Sequence, residues 1–149
     1  MRTNWLFQSS PAAGHLLSIL RIVVAFLFIS AGTMKMFGFP SRGGDSAPIG
    51  FNPSTQIGLA AIIEVFGGTL MLFGLATRPT AFIMSGEMAV AYFQVYAAKA
   101  FFPVINGGAS AALFCWIFLY LSFAGAGPWS LDALIASSRP ASGREKAAA

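Results

Sequence analysis

The sequence predicts an all-α protein, an integral membrane four-helix bundle with both termini in the cytoplasm. Three observations lead there. Of 149 residues, 56% are hydrophobic and only 9% are charged, whereas a soluble domain carries about 25% charged residues. Apolar runs near the roughly 20 residues needed to cross a bilayer occur four times, at about 16–37, 55–76, 79–98 and 108–123. The basic residues then divide unequally between the two sides that those runs define. Arg2, Arg21, Arg78, Arg139, Arg144 and Lys146 fall on one side, and Lys35, Arg42 and Lys99 on the other. The richer side is cytoplasmic by the positive-inside rule.

Each segment has a local justification. Residues 1–15 form an interfacial arm, with Trp5 suited to the headgroup level. The apolar stretch after it is too long for a signal peptide and carries Arg21 within it. In the first span Arg21, Ala25, Phe28, Gly32 and Lys35 share one helix face. Snorkelling to the interface is the simple reading of Lys35; Arg21 lies deeper. Residues 38–54 contain three prolines and several glycines, which prevent regular structure. This connection is read as a solvated loop, with a lid as the alternative, and Ser54 is placed to cap the next helix.

The second and third spans form the centre of the chain. In the second, Gly58, Ala61, Glu64, Gly67, Gly68 and Met71 gather on one side. Small residues let helices approach closely in lipid, so Glu64 belongs to the packed face. After the turn Thr77-Arg78-Pro79, the third span places Thr80, Met84, Glu87, Ala91, Gln94 and Ala98 on one face. A carboxylate at membrane depth is costly unless paired or protonated, and is a functional-site hypothesis by default. Glu64 and Glu87 are therefore the leading candidates for a proton or ligand site, with Arg21 and Gln94 as companions. If the two acids are close they titrate as a pair; if Arg21 reaches one, that one stays ionised.

The connection 99–107 holds Pro103 and the turn dipeptide Asn106-Gly107. The fourth span presents Ala111, Cys115, Phe118, Ser122 and Gly125 on its small-residue face. Gly127-Pro128 is expected to stop it. Trp129 anchors at the interface, and Ser130 caps a short helix over 131–135 with Asp132 in its first turn. Lys35, Arg78, Asn106 and Asp132 are the candidate structural or gating polar residues, and Arg78 and Asp132 are placed to pair. The tail 136–149 is polar and expected to be disordered.

Composition also excludes functions. The single cysteine, Cys115, cannot form an internal disulfide or a dithiol pair, and is read as a buried, inert thiol. The single histidine, His15, rules out a bis-histidine haem in one chain. A transition-metal site is not expected. The net charge of +4 is scattered, with no nucleic-acid-binding patch.

Several motifs in combination resemble the DoxX family. They are Gly32-x-x-Lys35 closing the first span, I-E-x-x-G-G at 63–68, G-L-A-T-R at 74–78, Glu87, F-P-x-x-N-G-G at 102–108 and G-P-W-S-L-D at 127–132. The resemblance covers residues 16–135, taken as the membrane domain. It implies a small four-span protein of the bacterial inner membrane, acting as a subunit or accessory of a quinone-linked redox or oxidative-stress complex. Family members often carry glutamate directly after N-G-G, where this chain has Ala109. The implied partners are the lipid bilayer and either further copies or a redox protein. No cofactor is held by the chain alone; a quinone is the ligand to expect. Catalysis would need a partner, since no electron carrier is evident. Two alternatives stand beside this one: a non-enzymatic membrane scaffold or assembly factor, in which buried charges fix helix register, and, third, a proton-coupled transporter of a small solute.

Overall fold

A computed structural model describes residues 11–41 and 51–138, and all regular structure in them is helical. Helix α1 spans Pro11–Phe37. Helix α2 spans Gln56–Phe73, with a π-helical stretch at Ile63–Gly67. Helix α3 covers Thr77–Ala91 and continues as a π-helical turn, Tyr92–Tyr96. A short α4, Pro103–Asn106, precedes α5, Ala109–Ala124, and α6 spans Leu131–Ser138. Two of these, α1 and α2, are both long and apolar enough to cross a membrane; α5 is a shorter apolar helix.

The boundaries differ from the sequence reading where local chemistry decides them. Helix α1, Pro11–Phe37, is already formed five residues before the expected start at Leu16. Thr55, not Ser54, caps α2: its hydroxyl accepts from the Gly58 N–H at 3.1 Å. Ser54 instead donates its own N–H to Asn52 Oδ1. Helix α2 ends three residues early, at Gly74, whose φ of +66° is a left-handed stop. Likewise Gly125, with φ +88°, ends α5 before Gly127-Pro128 is reached. The expected irregular connection contains α4, and α6 runs on to Ser138. Residues 1–10 of the expected arm 1–15, 42–50 of the connection and 139–149 of the expected tail 136–149 lie outside the described residues; residues 11–15 and 136–138, expected in the arm and in a disordered tail, are helical.

The expected packed faces of α1 and α2 form. Arg21, Ala25, Phe28 and Gly32 on α1 are buried, as are Gly58, Ala61, Glu64, Gly67, Gly68 and Met71 on α2. At Gly32 the two helices approach so closely that a Cβ would stand 2.7 Å from Val65 Cγ2 and 2.9 Å from Glu64 Cβ. Helix α3 packs most extensively on α5. The core between the helices is Phe28, Met71, Met84, Phe118 and Leu121, with the Phe28 and Phe118 rings edge to face at 4.8 Å. On α3 the inward face is Thr77, Thr80, Ala81, Met84, Ser85 and Met88; Gln94 and Ala98 are exposed.

The polarity of the fold is reversed from that of a water-soluble protein. Ser18, Arg21, Glu64, Thr77, Thr80 and Ser85 are buried, while Phe26, Phe66, Phe82, Phe93, Trp116 and Phe123 are exposed on the outside of the helices. Apolar patches of such extent mark contact with lipid or with other chains.

The end of the molecule that contains Arg21 is tied by backbone carbonyls and two side chains. Arg21 is fully buried and donates from Nε to Ala126 O at 2.9 Å, from Nη1 to Met71 O and to Leu72 O at 2.8 Å, and from Nη2 to Trp129 O. The last carbonyls of a helix have no intrahelical partner; here the guanidinium supplies one. Asp132 does the converse for α3. Its Oδ1 and Oδ2 accept the N–H groups of Ala76 and Thr77, each at 2.8 Å, so a residue distant in sequence caps the helix. Both carboxylate oxygens are thereby engaged, and the expected Arg78–Asp132 ion pair is not formed; among the described residues the ion pair is Lys35–Glu64. Ser130 caps α6 as expected, accepting from the Ala133 N–H at 3.1 Å.

The Asp132 cap makes stability depend on pH. Burial alone pushes its carboxyl up, but the Thr77 and Ala76 hydrogen bonds and the nearby Arg21 guanidinium outweigh this and hold it below the ordinary aspartate value. A carboxyl depressed in the folded state stabilises above its unfolded pKa, and that contribution is lost as pH falls toward the folded one. The unfolding temperature of the detergent-solubilised protein should therefore drop as pH is taken from about 4 toward 3. Asp132→Asn should lower stability at pH 7 by about 1 kcal/mol, the typical worth of a cap, and flatten that acid limb. An unchanged acid limb in the variant would assign it to another group.

Candidate functional site

The two carboxylates of the sequence reading come to the end of the molecule opposite Arg21. Glu64 sits in the π-helical stretch of α2 and is 2% exposed. Its Oε1 accepts from Lys35 Nζ at 2.6 Å. Lys35 reaches it because α1 and α2 touch at Gly32, one turn before Lys35, so the ammonium folds back along its own helix onto Glu64. Lys35 is partly exposed; its remaining N–H groups are free to face a ligand or solvent.

Glu87 stands on α3 beside this pair, half-buried. The Oε2 atoms of both Glu64 and Glu87 are buried without a hydrogen-bond partner. Buried polar atoms are nearly always paired, so two such acceptors together suggest a site built for a donor or a proton. Both Lys35 and Glu87 line a cleft of about 480 Å³ between the first half of α2 and the second half of α3. Its other walls include Ile57, Ile63, Val90 and Tyr96. Both π-helical stretches border it: Ile63 belongs to one, and Val95 and Tyr96 to the other. π-Bulges widen a helix locally and are frequent at functional sites.

The remaining candidates are placed apart. Arg21 lies fourteen residues before Lys35 on the same helix, about 21 Å along its axis, and is bonded to carbonyls; Lys35 is the cation that meets Glu64. Gln94 accepts from Gln56 Nε2 at the rim of the cleft, where Gln56 is a lining residue. Asn106 is buried and closes the α3–α5 connection, donating to Ala100 O at 2.9 Å and accepting the Gly108 N–H at 2.7 Å. Arg78 is exposed at the Arg21 end. Cys115 is half-buried, with Ser85 Oγ 3.6 Å from its sulfur. Among the described residues no cluster of three metal-ligating side chains occurs.

Sequence reasoning placed Lys35 at an interface and missed its bond to Glu64. The signal was present in the spacing of Gly32 and Lys35: the glycine allows contact with α2, and the lysine one turn later lies over whatever α2 presents there.

A helical chain with polar groups inside, apolar groups outside and spans of membrane length is a membrane protein. A family model described as DoxX matches residues 16–97, and the chain belongs to the DoxX family. A Haemophilus influenzae protein described as uncharacterized is 44% identical over 122 residues, covering 79% of this chain and 89% of that protein. Inner membrane protein YqjF of Escherichia coli is 29% identical over 123 residues, covering 78% of this chain and 89% of its own length. No solved structure is significantly similar.

Proposed function

We propose that the protein is a four-span inner-membrane subunit or accessory of a quinone-linked redox complex, with the cleft at Lys35, Glu64 and Glu87 as its quinone site. The observation that carries this reading is the pair of unpartnered buried carboxylate oxygens beside an otherwise apolar cleft. The inner-membrane placement is supported by the likeness to YqjF. The four-span topology is supported by the exposed apolar faces of α3 and α5 alongside those of α1 and α2. The basic residues favour cytoplasmic termini, which puts Arg21 and Arg78 at the inner end and the cleft toward the outer end.

The residues present fit a quinone. The cleft volume lies within the roughly 300–1,000 Å³ typical of small-molecule pockets. Ile57, Ile63 and Val90 offer apolar contact to a ring, and Lys35 Nζ has donors left for a carbonyl oxygen. A bound quinone would carry the electrons, for which the chain has no carrier of its own. Glu87 is the group placed to hold or release a proton at the cleft wall, and the Lys35–Glu64 pair fixes charge behind it.

Native mass spectrometry of the protein extracted in mild detergent tests the reading, with decylubiquinone added as the probe. The wild type should retain the probe, and its reduced quinol form, whose hydroxyl can donate to the Glu87 carboxylate, should be retained about tenfold less by Glu87→Gln, the loss of one charged hydrogen bond (about 1.4 kcal/mol). Undiminished retention by Glu87→Gln would remove Glu87 from the site. A stably bound protein without quinone retention would shift the reading to a scaffold.

A further inference from the structure

A further cavity lies at the opposite end from the cleft, and its reading does not depend on the cleft. Arg21 and Asp132 are consumed by backbone groups there, but Arg78 is exposed and in no ion pair among the described residues. Its guanidinium stands over Gly125, close enough that a Cβ on that glycine would lie 3.6 Å from Nε and 3.8 Å from Nη2. The missing side chain leaves a shallow cavity of about 360 Å³, lined by Arg78, Gly125, Gly127, Ser130, Asp132 and Ala133. The one carboxylate on its rim, Asp132, has both oxygens occupied by the Ala76 and Thr77 N–H groups. The cavity thus presents an exposed, planar cation with its acidic neighbour already engaged.

Its surroundings say what it faces. Phe82, one helical turn beyond Arg78 on α3, and Phe123, at the end of α5, are exposed apolar side chains. Trp129 and Leu134 are exposed at the same end, and tryptophan favours the headgroup level. A cation at the boundary between an apolar belt and a polar rim meets lipid phosphates, and guanidinium matches phosphate oxygens in a bidentate manner that an ammonium does not. We infer that Arg78 and the cavity above Gly125 bind the phosphodiester headgroup of an anionic phospholipid, whose chains lie along the exposed faces at Phe82 and Phe123.

The test reconstitutes the full chain in vesicles of equal parts phosphatidylglycerol and phosphatidylcholine, extracts it gently and counts retained lipids by native mass spectrometry. The wild type should keep phosphatidylglycerol in preference to phosphatidylcholine, and Arg78→Gln should reduce that adduct at least fivefold. Arg78→Lys should keep only part of it. Ala133→Glu, which adds an anion to the same cavity while leaving Arg78 in place, should also expel the lipid. Equal retention of the two lipids by the wild type, or an undiminished adduct in both Arg78→Gln and Ala133→Glu, would overturn the site. Displacement of the lipid by inorganic phosphate in molar excess would overturn the lipid assignment and give the cavity to free phosphate.

Discussion

Replacing Arg21 by methionine should prevent the protein from accumulating in the membrane, or lower its stability by about 3–5 kcal/mol if it does accumulate. Three carbonyls, at Leu72, Ala126 and Trp129, receive hydrogen bonds from this one guanidinium, and a fourth, Met71 O, takes one beside the Gly74 N–H it already accepts at 3.1 Å. Stranding a buried acceptor costs about 1–3 kcal/mol, and the space Arg21 fills is fully buried, so a methionine there offers those acceptors no donor. Partial relaxation of the loop at 125–130 keeps the sum below the simple total. Since whole domains are stable by only about 5–15 kcal/mol, this single loss is a large share. Arg21→Lys should recover little: an ammonium lacks the flat fork that reaches α2 and the α5–α6 connection together. Membrane yield and thermal unfolding in detergent measure both variants. A stable, well-expressed Arg21→Met would mean that the carbonyls find other donors, and that the buried arginine is kept for another reason.

Breaking the Lys35–Glu64 pair should be nearly as damaging, but in a way that can be undone. Lys35→Met strands the carboxylate of Glu64, which is 2% exposed, and removing one partner of a buried pair typically costs about 3–5 kcal/mol. Glu64→Gln should be milder, because Lys35 is partly exposed and its ammonium can turn toward the end of the helix. The double variant Lys35→Met/Glu64→Met should regain most of the lost stability, since apolar replacement of a buried pair is often neutral or better. A double-mutant cycle on unfolding temperatures reads the coupling. The same double variant should still fail to retain decylubiquinone. Regained stability without regained binding separates a functional pair from a merely structural one; recovery of both would make the pair dispensable to the site.

Much of this was legible in the residues, and the part that was not has a physical reason. The face Gly58, Ala61, Glu64, Gly67, Gly68 and Met71 could be read from spacing because close helix contact demands small side chains at regular intervals. The location of Glu64 in the packed interior followed from the same argument. Its partner was only half legible: Gly32 marks where α1 meets another helix and Lys35 lies one turn beyond, but spacing along α1 does not say which residue the next helix presents there. The close approach at Gly32 fixes that residue, and with it the choice of Lys35 over Arg21. The role of Asp132 was hidden for a related reason. Its position in the first turn of α6 suggested a favourable charge there and a pairing with Arg78, whereas its carboxylate serves the N-terminus of α3, contacts spanning 56 and 55 residues. Boundaries set by one residue's backbone geometry, such as the stops at Gly74 and Gly125, were ambiguous where several glycines stand within a few positions of one another.

The uneven distribution of polar ties has a mechanical meaning. At one end the start of α1, the close of α2, the opening of α3 and the segment entering α6 are stitched together by Arg21, Asp132 and the bond from Trp129 N–H to Ser18 Oγ. At the other, among the described residues, Lys35–Glu64 and Gln56–Gln94 each join two neighbours, and α5 is tied to α3 nearer mid-helix, by Ser85 Oγ donating to Cys115 O at 2.9 Å. The polar ties are thus weighted toward the Arg21 end. If the cleft takes a guest as proposed, one that spreads α2 from α3 there would have to break the Gln56–Gln94 bond, while the bonds at the Arg21 end lie outside its path.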